Sequence, residues 1–202
     1  MADSKSRFRL GITGGIGSGK TSVCRVFSVL NIPVFSADKA ANEIMENDAV
    51  IRDKLNLIAG KDLYLKGNLD RMTLASLIFN DRAILEKVNT LIHPAVFDRF
   101  TSWVLKQESP YVIMEAAILF ESGGRRFVDK VATLTAPVEQ RIERVIQRNR
   151  LTREQVMDRM KNQIDDELRI SQSDFIISNA ENDMIIPAVL QIHTEILNQI
   201  NN

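Results

Sequence analysis

Apolar and polar positions along the chain follow two alternating rhythms. Residues 8–13, carrying Phe8, Leu10 and Ile12, predict a short strand, and residues 18–30 follow with Val23, Val26, Phe27 and Leu30 on one helical face. Asn31, Ile32 and Pro33 end that helix, after which Val34 and Phe35 begin a second short strand. From Lys39 to about Ser109 the strand rhythm is lost. Over 81–92, Ile84, Leu85, Val88, Leu91 and Ile92 share one side, and Pro94 is expected to open a further helix carrying Val96, Phe97, Phe100 and Val104. This stretch is expected to be all-helical.

Apolar, partly β-branched runs return at 111–114 and 130–134. Pro137 starts a helix reaching about Asn149, Thr152 with Gln155 marks a capping box for the next, and these two helices are expected in tandem. Residues 175–177 supply a last strand, and a closing helix over 183–200 aligns Ile185, Val189, Ile192, Ile196 and Ile200. Strands separated by helices imply an α/β fold with a parallel sheet covered on both sides.

Composition narrows the function classes. A chain of 202 residues, 45% hydrophobic and 26% charged, has the make-up of one ordinary globular core with an insertion. Lys plus Arg and Asp plus Glu number 26 each, so no global basic field draws in nucleic acid or an anionic membrane, and any phosphate binding must be local. The polar stretch from Met1 to Arg9 predicts neither a signal peptide nor a membrane span, and the default compartment is cytoplasmic. The single cysteine, Cys24, excludes an intrachain disulfide and reads as a small packed side chain. No His or Cys cluster has the spacing of a zinc site.

The chemistry begins at Gly14, Gly15, Ile16, Gly17, Ser18, Gly19, Lys20 and Thr21, which satisfy G-x-x-x-x-G-K-[ST] between a predicted strand and a predicted helix. Glycines let the backbone turn its N–H groups inward around an anion, and the helix beneath adds its positive end. Lys20 can reach the β- and γ-phosphates of a nucleoside triphosphate and the Thr21 hydroxyl can ligate Mg²⁺, with Ser22 completing the binding segment.

Other candidates carry more than one reading. Asp38 follows the second strand, where a carboxylate could accept the proton of an attacking hydroxyl, hold Mg²⁺ through water, or cap a helix. Glu115 ends a strand and reads as a metal-shell acid or a solvated carboxylate; Glu121 reads as a substrate-orienting group, a partner of a lid arginine, or a surface charge. Arg141, Arg144 and Arg148 recur at i, i+3 and i+7 on one helix face, either solvated or available to a transferring phosphoryl group. His93 reads equally as a substrate contact and as a helix-to-helix hydrogen bond, and His193 falls on the polar side of the last helix.

Taken with Ala37-Asp38, 67–71, Ile92-His93-Pro94, 119–121, Arg144, Arg148, Gln163, Asp174 and Asn179, the phosphate loop makes the chain resemble the dephospho-coenzyme A kinases over about 8–180. The resemblance implies a three-layer P-loop kinase fold with a nucleotide-binding core at 7–38 and 110–202, a helical acceptor-binding insertion at 39–109 and lid helices at 139–165. It implies phosphorylation of the ribose 3′-hydroxyl of dephospho-coenzyme A by ATP with Mg²⁺, Asp38 as general base, Arg144 and Arg148 as lid arginines, and Asp70, Arg71, His93 and Glu121 at the acceptor. A monomer or weak homo-oligomer is expected. The chain departs from the family's usual Asp-Ala-Asp with Ser36-Ala37-Asp38, and from its third-strand Asp-x-Pro-Leu-Leu with the segment from Glu115 to Leu119. The rival readings are another small-molecule kinase of the same architecture and a nucleotide-driven switch, although the guanine-selecting Asn-Lys-x-Asp motif is absent from the sequence.

Overall fold

A computed structural model describes residues 7–202, so most of the polar amino-terminal stretch lies outside the described residues. These form two compact units, one comprising 7–36 with Val104–Asn202, the other Ala37–Trp103.

In the first unit, β1 (Phe8–Gly14), β2 (Val34–Ser36), β5 (Tyr111–Glu115), β6 (Lys130–Thr135) and β7 (Phe175–Ser178) form one sheet in the order β2-β5-β1-β6-β7. All neighbouring pairs are parallel. Alternate side chains place Leu10, Ile12, Tyr111, Ile113, Ala132, Leu134 and Ile177 in one buried cluster. Val23 and Phe27 of α1 (Lys20–Val29) and Val189, Ile192 and Ile196 of α9 (Ile185–Asn201) complete it. Every expected strand forms, and the central one, β1, delivers the glycine-rich loop at its carboxyl end.

Three helices, not the two expected, separate β6 from β7: α6 (Val138–Asn149), α7 (Arg153–Lys161) and the short α8 (Asp166–Ser171). The expected capping box at Thr152 and Gln155 is present. Ile142, Val145 and Val156 form a satellite cluster between α6 and α7, and Ile16 of the loop packs against it.

The second unit holds α2 (Ala37–Asn47), α3 (Ala49–Ala59), a hairpin of β3 (Tyr64–Leu65) and β4 (Asn68–Leu69), α4 (Arg71–Asn80) and α5 (Arg82–Val104), whose last residue belongs to the first unit. The hairpin corrects the all-helical expectation. Its turn places Lys66 at φ 52° and Gly67 at φ 86°, the double positive-φ geometry that matches strand twist, while two-residue strands are too short to show alternation. Hydrogen bonds from Tyr64 Oη to Met45 O (2.6 Å) and from Leu69 N to Glu46 Oε1 (2.9 Å) fasten it to α2.

Pro94 also behaves differently from expectation, because it lies inside one 23-residue helix. Losing its backbone bond disfavours the helix by about 3 kcal/mol. Burial of Val88, Ile92, Val96, Phe97 and Phe100 on both sides of it contributes roughly 1.5–3 kcal/mol per side chain, so packing outweighs the break.

Candidate active site

The loop joining β1 to α1 owes its shape to glycines that no other residue could replace without rearrangement. Gly14, Gly17 and Gly19 have φ of 151°, 80° and 97°, which side-chain-bearing residues rarely adopt. A Cβ at Gly15 would overlap the Arg141 guanidinium, one at Gly17 the Arg141 backbone carbonyl, and one at Gly19 the Asn179 amide. Helix α1 starts straight out of this loop at Lys20 with no side-chain cap on its first turn, the arrangement that suits an anion at a helix amino terminus. Lys20 folds back so that Nζ donates to Gly14 O at 2.8 Å.

Neighbouring segments fix the loop from outside. Ile16 N donates to Gln163 Oε1 at 2.8 Å, and Gln163 Nε2 donates to Ala117 O at 3.2 Å. Asn179, just past β7, donates from Nδ2 to Ser18 O at 2.8 Å, while its own carbonyl accepts from Arg144 Nη2 at 3.0 Å. Arg144 is thus tied to the loop through one residue, and its Nη1 is buried with no hydrogen-bond partner. Arg148 is exposed and donates from Nε to Asn149 Oδ1 at 2.8 Å, so the structure brings Arg144 to the loop but not Arg148.

Three predicted carboxylates occupy distinct settings. Glu115 ends β5 opposite Ile12 of β1 and accepts a hydrogen bond from Ser36 Oγ at 2.9 Å. Asp38 stands in the first turn of α2, two residues beyond the end of β2. Glu121 accepts from Ile164 N at 2.9 Å, clipping the loop after β5 to the segment after α7.

Within the helical unit, Asp70 is the amino-terminal cap of α4, accepting from Thr73 N at 3.0 Å and Thr73 Oγ1 at 2.7 Å, bonds that hold its carboxyl below the ordinary range. Arg71 pairs with Glu46 at 3.0 Å. His93 is half-buried with its ring 6.4 Å from that of Phe97, and desolvation lowers its pKa, favouring the neutral imidazole.

The settings of several further side chains are fixed by contacts distant in sequence. Arg141 is buried and paired with Asp166, where its helix-face spacing left a solvated position equally open. Arg169, three residues after Asp166, has no sequence signal that separates it from a surface ion pair, yet it is among the most buried side chains of the chain. His193, expected on the polar side of α9, is half-buried and shares a 2.7 Å hydrogen bond with Tyr111 Oη. Cys24 is buried, and desolvation pushes its thiol up to about 12, as expected of a packed side chain.

A glycine loop leaving the central strand of a parallel sheet, a lysine and threonine opening the next helix and an arginine-bearing helical pair beside it define a P-loop kinase. A shikimate kinase from Acinetobacter baumannii, solved with shikimate, shares this fold at TM-score 0.53 and 16% identity over 96% of each chain. The family model for dephospho-CoA kinase matches residues 8–184, and the chain belongs to that family. A dephospho-CoA kinase of Bacteroides fragilis (strain YCH46) is 36% identical over 185 residues, 91% of this chain and 90% of that one. The solved dephospho-CoA kinase from Campylobacter jejuni aligns at TM-score 0.69 and 26% identity over 95% of this chain and 98% of that chain. The family activity is ATP-dependent phosphorylation of dephospho-coenzyme A, the final step of coenzyme A biosynthesis.

Proposed function

We propose that this chain transfers the γ-phosphoryl group of ATP to the ribose 3′-hydroxyl of dephospho-coenzyme A, releasing ADP and coenzyme A. The observation that carries the reading is the loop from Gly14 to Thr21, whose glycine geometry and uncapped helix suit a phosphate chain, within a chain of this family. The acceptor oxygen forms the new P–O bond as the bond to the β-phosphate oxygen breaks, and its proton passes to the Asp38 carboxylate. Lys20 leaves Gly14 O for the β- and γ-phosphates. Arg144, whose Nη1 lacks a protein partner, approaches the transferring group, and Arg148 joins it when the α6–α7 pair moves over the nucleotide.

Mg²⁺ keeps several waters and uses one or two protein oxygens together with substrate phosphates. The Thr21 hydroxyl and the Glu115 carboxylate are oxygen donors of that kind, and the ion supplies positive charge to the phosphate oxygens when bound. The helical unit is assigned the acceptor, with Arg71 and His93 as direct contacts and Asp70 shaping the start of α4. Glu121 orders the loop after β5 for the same substrate. No described helix is long and apolar enough to cross a membrane. Separately, we take the protein as cytoplasmic and as a monomer or weak homo-oligomer.

The test is ADP release by the purified protein with ATP and Mg²⁺, comparing dephospho-coenzyme A with AMP, adenosine and buffer. Stimulation by dephospho-coenzyme A alone, with coenzyme A as product, is expected; equal rates in every tube would reduce the protein to an ATPase.

A further inference from the structure

Two arginines with no part in the proposed phosphoryl transfer stand against the phosphate loop. Arg141, in the first turn of α6, is 5% exposed, and Arg169, in α8, is 1% exposed. Both bind the carboxylate of Asp166. Arg141 donates through Nη2 at 2.6 Å and Nη1 at 3.4 Å, and Arg169 donates through Nη1. Arg169 Nη2 also donates to Ile164 O at 2.8 Å, while the Nε of each arginine is buried with no hydrogen-bond partner.

The charges do not balance. Two guanidiniums share one carboxylate whose side chain is 42% exposed, so water screens the anion more than the cations. Of the neighbouring charges, Asp165 accepts from Glu167 N and pairs with neither arginine, and Lys161 donates to Asp158. The two buried guanidiniums therefore exceed the charge of the one carboxylate they bind, where desolvation makes the excess unfavourable unless a further counter-charge arrives.

Gly15 shows where that counter-charge belongs. Its absent Cβ would overlap the Arg141 guanidinium and lie 3.6 Å from Arg169 Nη1, so Arg141 abuts the loop and Arg169 stands just behind it. We propose that Arg141, Asp166 and Arg169 form a fixed source of positive potential behind the phosphate loop, moderated by Asp166, that strengthens binding of the nucleotide's phosphate chain without touching it. The proposal rests on the nucleotide-binding reading above. These are positioning residues, and their charge acts through the loop. A purely mechanical strut would use the same contacts, but the two roles differ in sign at Asp166. Neutralising the acid weakens a strut, whereas it raises the potential felt by phosphate.

The experiment is calorimetric titration of the full chain with ATP and, separately, inorganic tripolyphosphate, alongside melting of the ligand-free protein. For Arg141→Gln the Kd of both ligands is expected to rise roughly tenfold, as loss of one poorly screened charge at close range requires. The ligand-free melting temperature should stay level or rise, because a costly buried charge is gone while Asp166 keeps Arg169. Asp166→Asn should tighten both ligands severalfold and lower the melting temperature. Weaker binding in Asp166→Asn, or unchanged binding in Arg141→Gln, overturns the proposal, and if either variant fails to fold, the other decides by the sign of its change. Wild-type protein that binds neither ligand would instead overturn the nucleotide reading itself.

Discussion

Ser36 Oγ donates to Glu115 Oε2 across 2.9 Å where β2 and β5 end side by side, the two residues being register partners in the sheet. The family's usual Asp-Ala-Asp would put a carboxylate at this position, next to an acid. Here a hydroxyl donor takes that place, so Glu115 meets a donor instead of a like charge. Ser36→Ala should raise the Mg²⁺ concentration for half-maximal activity roughly tenfold, the lower end of what losing one hydrogen bond to a charged group costs. Glu115→Gln should lower kcat by roughly 10². A Mg²⁺ titration left unmoved in both variants would remove Glu115 from the metal site.

Asp38 lies in the first turn of α2, two residues past Ser36 in the chain. Asn preserves its size and its suitability near a helix amino terminus, so Asp38→Asn should fold normally. If the carboxylate accepts the acceptor's proton, kcat falls roughly 10² or more while the Kd for ATP holds. Near-normal turnover would mean that the base lies elsewhere.

What the sequence disclosed and what it hid follow from how local each signal is. The strand, glycine loop and helix around Gly14 and Lys20 are encoded within consecutive residues, so they were legible with the chemistry they serve. The β3–β4 hairpin was not, because Tyr64–Leu65 and Asn68–Leu69 are too short for alternation and Lys66-Gly67 is a weak turn signal. Pro94 reads as a break until the buried side chains on both flanks are known. Arg141 and Arg169 illustrate the deeper limit. Helical spacing reports which side chains share a face, but not that the opposing surface is the phosphate loop. The hydrogen bond of His193 was hidden for the same reason, since its partner Tyr111 is 82 residues away.

Gly19 combines two constraints, a φ of 97° and the Asn179 amide in the space a Cβ would need. Gly19→Ala should lower stability by about 1–3 kcal/mol, from backbone strain and the displaced amide, and abolish measurable ATP binding. Asn179→Ala removes the clash but not the strain. In a double-mutant cycle by denaturant unfolding, the two changes should be sub-additive by about 1 kcal/mol. Strict additivity would show that Asn179 yields freely and that backbone strain alone makes Gly19 indispensable.

Two buried acids make the fold sensitive to alkali. Desolvation, reinforced by the Glu115 charge and partly opposed by Lys20, pushes the Cys24 thiol from 9.0 to about 12; burial raises the Tyr111 phenol as well. Each is held in its neutral, protonated form by the native state and ionises more readily once unfolded. The sign follows: their contribution is fully present below the unfolded-state pKa and is lost as pH rises through the folded one. For Cys24 that window runs from about 9 to about 12. Melting temperature should therefore decline steadily above about pH 9, and Cys24→Ala should flatten part of that decline by removing one of the two groups. The same burial predicts that a thiol reagent at pH 8 labels the native protein far more slowly than the denatured chain, since the thiolate is the reactive form. Rapid labelling of the folded protein would show that Cys24 is reached by solvent and would sever the link between its burial and the alkaline decline.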